Sequence, residues 1–219
     1  AREIGVPIGM LVCASNANNV LTDFIRTGVY DRNRTFYNTM SPSMDILISS
    51  NLERLLYALV DNDDAQVRAL MDSLNAEGSY TLPAPMLERL RDEFAAGCCD
   101  DAATRAAIRA TFATYSYLCD PHTAVAVKVY QDYVARTGDA TKTVIASTAN
   151  PFKFSHSVLE ALGEPVEGLA EFELVERLAE RTGCEIPAGL ASLKGKAPRF
   201  SDVCDREGIL DYVVEQLGL

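Results

Sequence analysis

The reading of the whole chain turns on Thr143-Val-Ile-Ala-Ser-Thr-Ala-Asn-Pro-Phe-Lys-Phe154. Thr143–Ser147 is apolar and β-branched, which fits a short buried strand. The segment then runs through Ser147, Thr148 and Asn150, and Pro151 turns it toward a helix. In open α/β sheets ligands bind outside the carboxyl ends of strands, so Thr148 stands at a chemically useful place. Its hydroxyl can hydrogen-bond a ring nitrogen without changing that nitrogen's charge. A plain polar strand-to-helix turn explains the same residues equally well.

Outward from this stretch, further strands are expected at Met10–Ala14, Thr35–Thr39 and Ile46–Ser49. Each is apolar or β-branched and is followed by polar residues, as in buried parallel strands. Most of the remaining chain reads as helix. Ser50-Asn-Leu-Glu53 fits a capping box, with Ser50 as N-cap, ahead of a stripe of Leu52, Leu55, Leu56 and Leu59. Val67, Leu70, Met71 and Leu74 form a second stripe, ended by Gly78. A third helix carries Met86, Leu90 and Phe94, and an alanine-rich helix starts at Asp101. Asp120-Pro121 fits an N-cap with proline at the first helical position, and that helix stops at Gly138. Helices over about 155–162 and 172–181 follow, then a loop-like stretch from Cys184 to Phe200 and a last amphipathic helix over 208–217. Strands mixed with helices at both ends of a helical block point to an α/β fold with a helical insertion over about 51–119.

The chain has 219 residues and a formal charge of −11, with 48% hydrophobic residues. That apolar content excludes a disordered acidic tail. The acidic balance argues against broad binding to nucleic acid, which needs clustered Lys and Arg. No run approaches the ~18 apolar residues of a membrane helix. Cys13, Cys98, Cys99, Cys119, Cys184 and Cys204 form no C-x-x-C pair, and neither histidine lies near a pair of them. Zinc is therefore not expected, and reduced, buried thiols of a cytosolic protein are. Ala1–Ile4 followed by Gly5 reads as the last turn of a helix, so the chain is expected either to begin inside an element or to have a trimmed natural start.

Most familiar catalytic patterns are absent. Gly189–Ala197 has the wrong glycine spacing for a phosphate loop, and Ala197 offers no hydroxyl for Mg²⁺. There is no G-x-G-x-x-G and no G-x-S-x-G. His156 fits a surface helix start. His122 is a first-turn residue of the Asp120-Pro121 helix, open to a polar or a functional role. The acidic groups at Asp61, Asp63 and Asp64 and at Asp100 and Asp101 fit helix starts, where they complement the dipole.

Several segments share one resemblance. Ala14-Ser-Asn-Ala-Asn-Asn-Val-Leu-Thr-Asp-Phe24, Thr27-Gly-Val-Tyr30, Ser41-Pro-Ser-Met-Asp-Ile-Leu-Ile-Ser-Ser-Asn-Leu-Glu-Arg54, Asp120-Pro-His-Thr-Ala-Val125 and Ser147-Thr-Ala-Asn-Pro-Phe-Lys-Phe154 closely resemble threonine synthases of the longer, yeast- and enterobacterial-like class, in the family's order. The resemblance implies a fold-type II pyridoxal phosphate (PLP) enzyme. It implies that 1–219 is the carboxyl-terminal part of the catalytic domain, with short, mostly parallel strands flanked by helices. The implied reaction converts O-phospho-L-homoserine and water into L-threonine and phosphate, with PLP as the electron sink.

Residue by residue, Thr148 matches the threonine expected to hydrogen-bond the pyridine nitrogen. Asp120, His122 and Thr123 match the segment that approaches the cofactor edge. Ser50 and Asn51 match a strand-end turn near the ring, and Lys153 is a candidate for sensing a substrate anion. No catalytic residue is assigned within the chain. The family's Schiff-base lysine and glycine-rich loop are implied to lie upstream, and Lys128, Lys142, Lys153, Lys194 and Lys196 do not match the lysine motif. Asn150 and Phe152 stand where the commoner pattern has His and Ala. The chain alone is thus expected to be inactive and not to hold PLP. Cytoplasmic location, no nucleic-acid, membrane or metal partner, and self-association through uncovered apolar faces complete the expectation. The alternatives are another fold-type II enzyme, such as a deaminase or sulfhydrylase, or a helical interaction module resting on Asn51–Thr137.

Overall fold

Leu11–Ser15 (β1) is the first strand, and it pairs in parallel with Phe94–Cys98 (β4), Leu11 opposite Phe94 and Ser15 opposite Cys98. The structure, a computed structural model, describes residues 1–219 apart from the side chain of Glu3. Between the two strands the chain forms Val20–Thr27 (α1), Val29–Asp31 (β2), Leu52–Leu59 (α2), Asp64–Glu77 (α3), Ser79–Thr81 (β3) and Ala84–Glu93 (α4). β2 and β3 pair antiparallel. After β4 come Asp101–Tyr115 (α5), Pro121–Thr137 (α6), Ser155–Leu162 (α7) and Glu171–Thr182 (α8). Residues 1–184 form one compact unit, and 185–219 form a second that carries Ala188–Ala191 (α9) and Ile209–Leu217 (α10). The fold is mixed α/β, dominated by helices, with few parallel strands.

The first unit is centred on α1 and three aromatic rings. Tyr30 and Tyr80 stack at 5.3 Å, and Phe24 meets both edge-on at 5.6 and 5.8 Å. Leu56, Leu59, Leu74, Met86 and Leu90 close around them, so α2, α3 and α4 each turn an apolar face inward. On the other face of β1 and β4, Val125 and Val129 of α6 are buried beside Cys99, with Val12 and Ala14 against them. Helix ends follow the sequence rules: Gly78, Gly138 and Gly163 are left-handed C-caps, as their positions suggest.

Four local expectations fail, each for a physical reason. Thr35–Thr39 is not a strand, because side chains take the place of a neighbouring strand. Asn18 receives the Tyr37 N–H and donates to the Tyr37 carbonyl, while Asp45 receives the Thr39 N–H. Ile46–Ser49 is likewise irregular; the Tyr30 hydroxyl donates to the Leu47 carbonyl and accepts from the Ser49 N–H. Thr143–Ser147 has no strand beside it among the described residues, and Val144 is 92% exposed. Ser50 is not an N-cap: a turn from Ser49 to Leu52 leads into α2, Asn51 occupies the cap, and Asn51 Oδ1 accepts instead from Arg54.

The third helix also ends earlier than the Phe94 stripe suggests. Phe94 opens β4, so the block 51–119 contains two strands, β3 and β4, besides its helices. β4 contains Gly97, where α6 crosses so closely that an added Cβ would lie 2.8 Å from Val129 Cγ1. Gly97→Ala is expected to destabilise the chain by about 1–3 kcal/mol through overpacking. Val129→Ala in the same chain should recover part of that loss. Urea unfolding of the single and double variants reads both effects; additive losses would contradict the packing.

Candidate functional site

Asp120 ends the link from α5 and caps α6. Pro121 follows at the first helical position, where its missing N–H costs no hydrogen bond. Only 1% of Asp120 is exposed. Its Oδ1 accepts from the backbone N–H groups of His122 (2.8 Å) and Thr123 (3.3 Å), and lies 2.9 Å from His122 Nδ1. Its Oδ2 accepts from the Thr123 hydroxyl at 2.5 Å. Burial by itself would raise the Asp120 pKa. The hydrogen bonds from the His122 ring, Thr123 and the two backbone amides outweigh it and hold the carboxyl below its usual range.

The next shell fixes the imidazole. The backbone N–H of Ser43 lies 3.0 Å from His122 Nε2. An amide can only donate, so Nε2 must present its lone pair. Nδ1 then carries the proton and donates to Asp120, giving a defined neutral tautomer. Phe154 packs against the same ring edge-on, with centroids 4.8 Å apart. With Nε2 occupied, His122 is a positioned ring and not a free base in this arrangement.

Ser43 reaches His122 because its loop is tied down from below. Asn16 sits just beyond β1 and is 1% exposed; its amide faces Thr39, Ser41 and Asp45. Asn18 donates to Asp45 Oδ1 at 3.0 Å, and the Thr39 hydroxyl does so at 2.7 Å. The Met40 N–H points at the Asp101 carboxylate, at the start of α5. Buried polar groups of this kind are stable only when satisfied, which makes the cluster a rigid base for the loop. Sequence reasoning missed it. The signal was there in the six Ser, Asn and Asp side chains around the apolar run 41–54, which is hard to explain by packing.

The expected site residues divide into two groups. Asp120, His122 and Thr123 meet at the start of α6, and Thr123 lies 3.0 Å from the Ser147 hydroxyl. Thr148, next in the chain, is exposed and its hydroxyl is free among the described residues. Lys153 is exposed on the short 3-10 turn Pro151–Phe154, one residue before the Phe154 that packs on His122. Ser50 and Asn51 are exposed and are not joined to the Asp120 cluster by any described hydrogen bond. Asn150 and Phe152 have structural duties: Asn150 accepts the Phe152 N–H, and the Phe152 side chain is buried. No metal-binding group of His, Cys, Asp and Glu occurs among the described residues.

Residues 123–213 match the family model described as "Threonine synthase, C-terminal". The chain is similar to the carboxyl-terminal part of threonine synthases. A crystal structure of threonine synthase from yeast superposes with a TM-score of 0.81, at 28% identity over 99% of this chain and 44% of that one. A PLP-bound threonine synthase from Brucella melitensis gives 0.69, at 38% identity over 80% of this chain and 37% of that one. Human threonine synthase-like 1 is 43% identical over 164 residues, 74% of this chain and 22% of the relative. The chain thus spans less than half the length of the curated relatives it matches. No helix among the described residues is long and apolar enough to cross a membrane.

The donor set fits one edge of PLP. Thr148 offers a neutral, unpartnered hydroxyl suited to a pyridine nitrogen, and it stands beside a buried cluster whose own donors and acceptors are saturated.

Asp120→Asn is expected to destabilise the first unit by about 1–3 kcal/mol, the scale of lost hydrogen bonds to a charged group. Because folding lowers the Asp120 pKa, its contribution is complete above the unfolded value of about 3.9 and fades as pH falls through the lower folded value. The stability gap between native and variant chains, followed by urea unfolding from pH 7 downward, should therefore stay constant to about pH 5 and close in acid. A gap that widened in acid would contradict the assignment.

Proposed function

We propose that this chain forms the carboxyl-terminal part of a PLP-dependent threonine synthase, acting on O-phospho-L-homoserine and water to give L-threonine and phosphate. The observation that carries the reading is the free Thr148 hydroxyl beside the buried Asp120–His122–Thr123 cluster, in a chain whose fold follows a threonine synthase over nearly its whole length. PLP, when bound, supplies the electron sink. Thr148 would donate a hydrogen bond to the ring nitrogen and, being a hydroxyl, would give it no proton. Asp120 holds His122 and Thr123 at the cofactor edge. Phe154 covers one side of the His122 ring and limits water there. Lys153 meets the substrate anion. The lysine that holds the cofactor covalently comes from chain outside these 219 residues, so the chain alone is inactive and the proper holoprotein includes that lysine.

The unpaired segment around Val144 and the exposed apolar residues of α10, among them Leu210 and Leu217, make self-association of the isolated chain the expected behaviour at high concentration. Of the alternatives, a deaminase or sulfhydrylase of the same fold type is told apart by a substrate screen on the whole protein. A purely structural helical module leaves the free Thr148 without a role.

Two measurements test the proposal. The 219-residue chain, mixed with PLP and borohydride, should give no stoichiometric adduct at any one lysine; such an adduct would sink the assignment. In the protein that joins this sequence to the cofactor lysine, O-phospho-L-homoserine should yield threonine and phosphate in equal amounts. Thr148→Val there should slow turnover about tenfold, the equivalent of one ordinary hydrogen bond, and Thr148→Ser should retain most of it. Turnover unchanged in Thr148→Val would remove its role.

A further inference from the structure

Thr143–Thr148 has no secondary structure, yet it must present Thr148 in a fixed place. Apart from a local bond from the Thr143 hydroxyl to the Thr141 carbonyl, Ser147 makes the segment's only hydrogen bonds to the rest of the chain among the described residues. Its hydroxyl lies 3.0 Å from Thr123 Oγ1 and 3.3 Å from the Tyr117 hydroxyl. Thr123 in turn is 2.5 Å from Asp120 Oδ2.

The Asp120 carboxylate only accepts, so the Thr123 hydroxyl donates to Oδ2. The same hydroxyl is turned to Ser147 Oγ, where Ser147 accepts, so the one Thr123 proton is shared between the two. The Tyr117 hydroxyl donates to Ser147 from the other side. Tyr117 sits in the link between α5 and α6, and Asp120 and Thr123 at the start of α6. Ser147 is thus held between the two, and Thr148 is the next hydroxyl in the chain, with its proton uncommitted.

We propose that Thr123, Ser147 and Tyr117 are positioning residues for Thr148: a hydroxyl relay anchored on Asp120 docks an otherwise unpaired segment and leaves Thr148 as its free donor. The relevance of that placement to a cofactor ring rests on the proposed function, but the docking itself does not. The Ser147 oxygen is taken up by two bonds while Thr148 makes none among the described residues, which distinguishes two adjacent hydroxyls that sequence reading treats alike.

The test uses backbone ¹⁵N relaxation of the 219-residue chain, with no cofactor. Ser147 and Thr148 should show order parameters near those of rigid backbone, about 0.8, although they lie outside any helix or strand. Thr123→Val, which keeps the shape and removes the hydroxyl, should lower both below about 0.6. Thr123→Ser should restore them. Ser147→Ala, at a residue that lies in no helix or strand, should have the same effect as Thr123→Val, and Tyr117→Phe, the longest link, a smaller one. The amides of β1 and β4 report whether each variant keeps the fold. Native order parameters already below 0.6, or values unmoved by both Thr123→Val and Ser147→Ala, would overturn the relay. Rescue failing in Thr123→Ser would do so as well. Failure of the proposed function would instead appear in the turnover assay, with these order parameters unaffected.

Discussion

A single buried carboxylate organises the candidate site. Asp120 has both oxygens engaged: Oδ1 by the start of α6 and the His122 ring, Oδ2 by Thr123. A charge removed from water is costly unless hydrogen bonds replace its hydration. Here they do so fully enough to keep the group ionised. The same bonds fix a helix terminus, a ring and a hydroxyl at once, which would otherwise have to be ordered separately.

Around this point the backbone depends on side chains where a sheet would use strands. Asn18 and Asp45 satisfy the groups of Tyr37 and Thr39, and Tyr30 satisfies those of Leu47 and Ser49. Such loops keep their buried amides paired while taking shapes a strand cannot. The Ser43 amide is thereby free to face His122. Two rigid pieces, the Asn16–Asp45 cluster and the start of α6, meet through one backbone-to-imidazole bond.

Helices were legible in the sequence because their signals are local. Asp120-Pro121, Gly78, Gly138 and Gly163 mark ends through chemistry that needs no distant partner. Strands were harder, since a strand exists only with its neighbour. β4 lay hidden at the end of a helical stripe, because Phe94 satisfies both the helical spacing and the strand register opposite Leu11. Thr143–Ser147 has the composition of a strand but no neighbour among the described residues. The site divides in the same way. Asp120, His122 and Thr123 are adjacent in sequence and were found; Asn16, Ser43 and Asp45 act through contacts across 20 or more residues, such as the bond from Asn16 to Asp45, and were not.

The most direct measurement is the tautomer of His122, read from long-range ¹H–¹⁵N correlations of its ring in the neutral form. The chain has only His122 and His156, so assignment is simple. A buried, ionised Asp120 and a donating Ser43 amide require the proton on Nδ1 and a bare Nε2. The expected spectrum shows that form for His122, lost in Asp120→Asn. A neutral His122 protonated on Nε2 would contradict the arrangement, because neither Asp120 nor Ser43 would then hold the ring.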